Sequence, residues 1–119
     1  MARRPVSVSE VRAALAQIRQ GELTPTQTRE LVRTTLRWLA QIEPGHTVEI
    51  RVPPHAAVQA VEGPRHTRGT PPNVVEMDPA TWLSLVGGDL SWADAVAAGR
   101  VQASGLRADL GAMLPMREP

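Results

Sequence analysis

The side chains best suited to bind a charged ligand lie together in a polar loop, residues 63–72, with the sequence GPRHTRGTPP. Two guanidinium groups and one imidazole, flanked by glycines, can form a concave set of donors for a carboxylate or a phosphate group. The alternative is a solvated loop whose arginines pair with nearby carboxylates. We therefore take Arg65, His66 and Arg68 as a candidate anion-binding set.

Residue types that support covalent or acid–base catalysis are scarce in this chain. It has no cysteine, no tyrosine and no lysine, which excludes a thiol nucleophile, a thiolate metal site, a phenolic acid and a Schiff base. His46, His55 and His66 do not stand at the helical spacing of a zinc site, and no serine occupies a G-x-S-x-G turn. The sequence predicts a protein that is not an enzyme and uses no metal or cofactor.

A second basic feature is a stripe of three arginines, Arg29, Arg33 and Arg37, four residues apart on a predicted helix. Such a stripe can meet phosphates or anionic lipid headgroups. It can equally be a solvent face whose aliphatic stems cover neighbouring apolar surface. The sequence leaves both interpretations open.

Length and charge limit the classes of partner. With 119 residues and 42% hydrophobic residues, the chain has the size of one domain. The formal net charge is only +1, whereas a nucleic-acid binder usually carries a larger clustered excess. The absence of lysine beside 13 arginines is typical of a GC-rich bacterial genome.

The sequence shows no segment that would send the chain out of the cytoplasm. No apolar run approaches the length of a transmembrane segment, and MARRPVSVSE lacks the apolar stretch of a signal peptide. Without cysteine there is no sign of an oxidising compartment. We expect a cytoplasmic protein.

Two amphipathic helices are predicted at the front of the chain, as a helical hairpin over residues 6–42. Ser7 and Glu10 fit a capping box for the first helix, which Gly21 ends. Thr24 and Gln27 repeat this pattern for the second helix. If their apolar sides do not pack fully on the rest of the chain, a homodimer can form.

The pattern changes to strands in the second part, residues 47–115. Alternation predicts strands at residues 48–52, 56–61 and 73–77, and a short strand at 101–104. Asp78 and Ser91 are predicted to cap two short helices, and a final short helix follows the last strand. The ends of the chain, residues 1–5 and 116–119, are expected to fray. The sequence thus predicts one α+β domain, 1–119, with a mostly antiparallel sheet of four to five strands and helices covering one face.

Four runs between Val48 and Leu110 resemble the sterol carrier protein domain, the type-two lipid-transfer family. They are VEIRVPPHAAVQAVEGPRHTRGTPPNVVE, TW, SWADAVAAGRVQASG and RADL, and they are similar in particular to the small bacterial ortholog group. The resemblance implies a twisted sheet covered by helices on one face. In lipid-transfer members an apolar tunnel lies between sheet and helices, so the resemblance implies that a lipid or small apolar ligand is bound or transported.

Two of the three tryptophans, Trp82 and Trp92, stand near predicted helix starts. They either fill the core, which has no Phe or Tyr, or form the walls of an apolar cavity. The second interpretation defines a candidate site, whose residues are Trp82, Leu85, Trp92, Val96, Leu106 and Leu110.

Overall fold

A computed structural model describes residues 4–63 and 73–119, and within them the chain forms four helices and four strands. In chain order they are α1 (Val8–Gln20), α2 (Pro25–Ile42), β1 (Val48–Val52), β2 (Ala56–Ala60), β3 (Val74–Glu76), α3 (Pro79–Gly87), α4 (Trp92–Ala97) and β4 (Gln102–Ser104). None of the helices in this described part combines the length and the apolar character needed to cross a bilayer.

The predicted helix starts are confirmed. At α1 the Ser7 hydroxyl accepts the Glu10 backbone N–H at 3.1 Å, while the Glu10 carboxylate accepts the Ser7 N–H at 3.3 Å. Thr24 and Gln27 make the same reciprocal pair at α2. Each box satisfies backbone donors that a helix start otherwise leaves unpaired.

The four strands form one open sheet in the order β2-β1-β3-β4. The pairs β1–β2 and β3–β4 are antiparallel, whereas β1 and β3 run parallel. β2 ends opposite the start of β1, with Ala60 beside Val48, and β3 begins at that same end, with Val74 beside Glu49. β3 therefore has to run in the direction of β1. The predicted α+β fold is confirmed, with four strands and a sheet that is mostly antiparallel.

The turn between α2 and β1 packs directly on the end of β2. Gly45 has a φ of 148°, and a Cβ atom there would lie 2.0 Å from the carbonyl oxygen of Val61. The Val61 N–H in turn donates to the Glu43 carbonyl at 2.8 Å. Only glycine fits this turn, because of both its backbone conformation and the close approach.

The two faces of the sheet differ as the alternation in β1 predicts. Ile50 is buried and is in register with Val58 on one neighbour and Val75 on the other, so this row faces the helices. The next residue, Arg51, is in register with Glu76 and lies on the opposite, polar face. The alternation therefore identifies the face that the helices cover.

A buried hydrogen-bonded pair joins α2 to α3 in the core. Trp82 is fully buried, and its indole N–H donates to the Thr35 hydroxyl at 2.9 Å. That hydroxyl donates to the Leu31 carbonyl at 2.7 Å. Within the described residues no buried side-chain polar atom lacks a partner, so this packed region carries no unpaired polar group.

The prediction of a final short helix after β4 is wrong. Between Gly105 and Gly111 the chain forms turns, and the Asp109 carboxylate accepts the Gly111 N–H at 2.7 Å. The stretch between the two glycines is too short to compensate for the unfavourable free energy of forming the first helical turn. Asp109 also offers the backbone a competing hydrogen bond.

Candidate functional site

The side chains that the sequence nominates for an apolar cavity do not share one environment. Trp82, Leu85 and Leu110 are fully buried in the core. Val96 is 48% exposed, and Leu106 projects entirely into solvent. Leu106 is exposed because it lies in the turns that replace the predicted helix.

Trp92, the sixth of these side chains, lies at the margin of the core and is half-buried. The backbone of Gly111 packs on its indole ring, where a Cβ atom would lie 3.2 Å from Trp92 Cδ1. Trp92 therefore supports the segment that follows β4. The assignment of these six residues to a ligand cavity stays a prediction.

The predicted anion-binding residues Arg65, His66 and Arg68 lie outside the described residues, and their role also stays a prediction. Of the other histidines, exposed His46 shares a 2.7 Å hydrogen bond with the Gln59 side chain. The His55 backbone N–H closes the β1–β2 turn on Val52 at 3.0 Å. In the described residues no group of three His, Asp or Glu side chains is placed to hold a metal ion.

A cleft of about 200 Å³, lined by both apolar and polar surface, lies between the end of α2 and the last residues of the chain. We call it the C-terminal cleft. Its lining residues are Leu39, Ile42, Glu43, Ala112, Met113, Pro115, Met116 and Arg117.

One wall of the C-terminal cleft is the terminal segment itself, which is held in place by the core. The Met116 N–H donates to the Val86 carbonyl of α3 at 3.0 Å, and the Leu114 and Met116 side chains are buried. The guanidinium of Arg12 on α1 donates to the Pro119 carbonyl oxygen at 2.7 and 3.0 Å. The expectation that residues 116–119 fray is therefore wrong for Met116, which is part of the core.

The other wall is the last turn of α2, where the helix ends with the Glu43 N–H on the Leu39 carbonyl at 2.8 Å. Leu39 points into the core and is 1% exposed, whereas Ile42, at the end of the helix, is 48% exposed. An apolar ligand in the cleft would remove the surface of Ile42 from water. Such burial is favourable in proportion to the apolar area covered.

The composition of the C-terminal cleft suits an elongated apolar group with a polar end. Met113 and Met116 contribute unbranched, polarizable thioethers, which adapt to irregular ligand shapes. At the rim Arg117 supplies a guanidinium and Glu43 a carboxylate. The guanidinium is a bidentate donor for a carboxylate headgroup.

A more apolar cleft of about 250 Å³ lies between the α1–α2 turn and α3, and we call it the α1–α3 cleft. Its lining residues are Ile18, Gly21, Glu22, Leu23, Thr28, Ala80, Leu83, Ser84 and Asp89. The charged groups among them, Glu22 and Asp89, are both acidic, so they repel an anionic headgroup. The C-terminal cleft has the carboxylate of Glu43 as well, but of these two clefts it is the one that offers a cation, Arg117, to the negatively charged end of an amphiphile.

Comparison with known protein families matches this chain to the family described as bacterial SCP ortholog, over residues 25–116. This chain belongs to that family. The match begins with the first residue of α2 and ends at Met116, so it includes the whole sheet, α3, α4 and nearly all of the C-terminal cleft. A search of curated proteins found no significant match.

Membership of this family confirms the resemblance to the small bacterial sterol carrier proteins. Carrier families of this type are generally not catalytic, which agrees with the scarcity of catalytic residue types in the sequence. The sequence patterns did not predict the C-terminal cleft. The signal that indicates it is the pair Met113 and Met116 on either side of Leu114, of which only Met116 lies in the end expected to fray.

Proposed function

We propose that this chain is a non-enzymatic sterol-carrier-like domain that binds or transfers a lipid or another small apolar ligand, with the C-terminal cleft as the ligand site. The observation that carries the proposal is the combination of the Met113 and Met116 side chains in the walls with Arg117 at the rim. Membership of the bacterial SCP ortholog family supports a carrier role in general.

The size of the cleft limits the ligand. Sites for drug-sized ligands enclose about 300–1,000 Å³, and the C-terminal cleft, at about 200 Å³, is smaller. We therefore expect it to take a short alkyl chain, or one end of a longer lipid, rather than a whole sterol. A medium-chain fatty acid such as octanoate is the natural probe, since Arg117 can pair with its carboxylate.

Methionine methyl NMR tests this assignment with probes already in the chain. Of the four methionines, Met113 and Met116 line the C-terminal cleft, whereas Met77 lies on the other side of the core, at the end of β3. In a titration with octanoate we expect saturable shifts of the Met113 and Met116 methyl signals. The Met77 signal is the internal control and should not move.

A matched pair of cleft-filling variants distinguishes the two clefts. Ala112 is an exposed wall residue of the C-terminal cleft, and Ala80 is an exposed wall residue of the α1–α3 cleft. We expect Ala112→Phe to abolish the octanoate shifts and Ala80→Phe to preserve them. The reverse pattern would assign the ligand to the α1–α3 cleft, and no response to any alkyl carboxylate would contradict the proposal as a whole.

A further inference from the structure

We propose that α2 and the N-terminal segment form a separate binding site for a phosphate group. A cleft of about 360 Å³ is lined by Arg4, Glu30, Arg33, Thr34 and Arg37, and we call it the arginine cleft. It includes two members of the arginine stripe that the sequence analysis singled out. The proposal does not depend on an apolar ligand in the C-terminal cleft.

Tertiary contacts bring the third guanidinium, that of Arg4, to the stripe. The Gln41 side chain holds the Val6 backbone, accepting from its N–H at 2.9 Å and donating to its carbonyl at 3.0 Å. One turn earlier on α2, the Arg37 guanidinium donates to the Arg4 carbonyl. These bonds fix the extended N-terminal segment along α2, and so the arginine cleft is assembled from residues 33 positions apart.

Two of the cations in the arginine cleft have no carboxylate partner among the described residues. Arg4 is paired with Glu10 at 2.6 Å, and Glu30 with the neighbouring Arg29 at 3.6 Å. Within residues 4–63 and 73–119, the side-chain hydrogen bonds of Arg33 and Arg37 go to backbone carbonyls, those of His55 and Arg4. Since each guanidinium has five N–H donors, both retain free donors for a ligand.

The uncompensated charge matches a phosphate monoester. Such a group carries a charge of about −1.5 to −2 at neutral pH and offers three acceptor oxygens. Arg33 and Arg37 stand four residues apart on one helix face, where like charges repel each other. A dianion between them relieves that repulsion and accepts from two planar forks, and Thr34 adds a hydroxyl donor.

The charge of the remaining chain favours a small phosphate ligand over a nucleic acid. Residues 43–119 contain six arginines and nine acidic residues. A nucleic acid carries many phosphates and needs an extended basic surface, which this part of the chain does not favour, whereas a single phosphate group contacts only the arginine cleft. The same phosphate chemistry occurs in a soluble phosphate monoester and in the headgroup of phosphatidate.

Isothermal titration calorimetry with glycerol phosphate tests the site, and Arg33→Gln combined with Arg37→Gln removes the two free cations. We expect binding to weaken at least about tenfold. The matched control is Arg19→Gln combined with Arg107→Gln, which changes the net charge equally at two exposed arginines without side-chain hydrogen bonds in the described residues. We expect the control to bind like the unmodified chain. Equal weakening in both double variants would show that the lower net charge alone explains the loss of binding, and it would overturn the proposal.

A variant that is expected to bind more tightly makes the test independent of misfolding, because misfolding weakens binding and does not strengthen it. Glu30→Gln removes the carboxylate at the arginine cleft, and we expect it to tighten glycerol phosphate binding about threefold. Unchanged or weaker binding would contradict the proposal.

Sedimentation with vesicles separates the two sources of the phosphate group. Binding to phosphatidylcholine vesicles that contain phosphatidate, lost in the Arg33/Arg37 double variant, would identify a membrane headgroup. Binding of glycerol phosphate alone would identify a soluble ligand. If neither probe binds to the unmodified chain, the arginine cleft is not a phosphate site.

Discussion

Around Trp82 the space between helices and sheet is filled by side chains of the chain itself, whereas at the end of α2 the C-terminal cleft stays open to solvent. The interior is closed by large residues and by the hydrogen bond from Trp82 to Thr35. The C-terminal cleft has flexible methionines and the exposed Ile42 instead. In the lipid-transfer relatives that the sequence resembles, the expected ligand space lies between sheet and helices.

Under the proposed function, rigidity and capacity for a ligand are divided between these two regions. A filled interior stabilises the fold but offers a ligand no volume unless side chains move. The open C-terminal cleft, which forms the margin of the core at the end of α2, costs some stability because apolar surface remains in water. We therefore expect substitutions in the interior to act on the free energy of unfolding, and substitutions at the margin to act on ligand binding.

The largest effect is expected from Trp82→Ala, with Ile42→Ala as its counterpart at the margin. Removal of the fully buried indole should lower the free energy of unfolding by about 3–5 kcal/mol. Removal of the half-exposed Ile42 side chain should cost less than about 1 kcal/mol. Urea unfolding followed by circular dichroism measures both. Similar losses in the two variants would remove the distinction between interior and margin.

A smaller effect is expected from Thr35→Val, which leaves the buried indole N–H of Trp82 without its acceptor. We expect a loss of about 1–3 kcal/mol in the free energy of unfolding. Thr34→Val is the matched control, because Thr34 is the neighbouring threonine and its side chain makes no hydrogen bond within residues 4–63 and 73–119. The control should stay within about 0.5 kcal/mol of the unmodified chain.

A double-mutant cycle with Trp82→Phe sharpens this prediction. The phenylalanine side chain has no N–H. Thr35→Val should therefore lower the free energy of unfolding less in the Trp82→Phe background than in the unmodified chain. Equal costs in the two backgrounds would show that the hydrogen bond does not carry the effect.

The smallest effect concerns the exposed ion pair between Arg4 and Glu10 at the start of α1. The hydrogen bond from Arg4, helped by those from Ser7, lowers the pKa of Glu10 from 4.5 to about 2. Since the pKa is lower in the folded chain, the ionised carboxylate contributes stability above about pH 4.5, and this contribution is lost as the pH falls towards 2.

NMR titration of the Glu10 side-chain carboxyl carbon checks this value. We expect a midpoint near pH 2 in the unmodified chain and a higher midpoint in Arg4→Gln. A midpoint near 4.5 in the unmodified chain would mean that the pair with Arg4 does not persist in solution.

The elements of this fold were largely predictable because their signals are local. Ser7 and Thr24 begin the two long helices as their capping boxes indicate, and Asp78 and Ser91 begin the two short ones. Such caps act over three or four residues, so a single sequence contains all the information they need. The prediction failed where local signals competed, as at Leu106, where two glycines and Asp109 outweighed a helical pattern.

The candidate sites were less predictable because each is assembled from distant residues. The C-terminal cleft needs the last turn of α2 and a segment about 70 residues later to come together. The arginine cleft needs Arg4 to lie beside Arg37. On a helix that turns about 100° per residue, Leu39 and Ile42 lie roughly opposite Arg33 and Arg37. One helix can therefore contribute to both clefts, but its sequence does not say what closes either of them.

The sequence by itself determined the family, the starts and order of the four helices, the order of the four strands, and the face of β1 that is buried, because caps, turns and alternation act between near neighbours. Only the tertiary structure decided that β3 pairs in parallel with β1, that Trp82 bonds to Thr35, and that the terminal segment packs on α3. These contacts depend on the simultaneous packing of all layers around one core. That packing is a property of the whole chain, and no short stretch of residues specifies it.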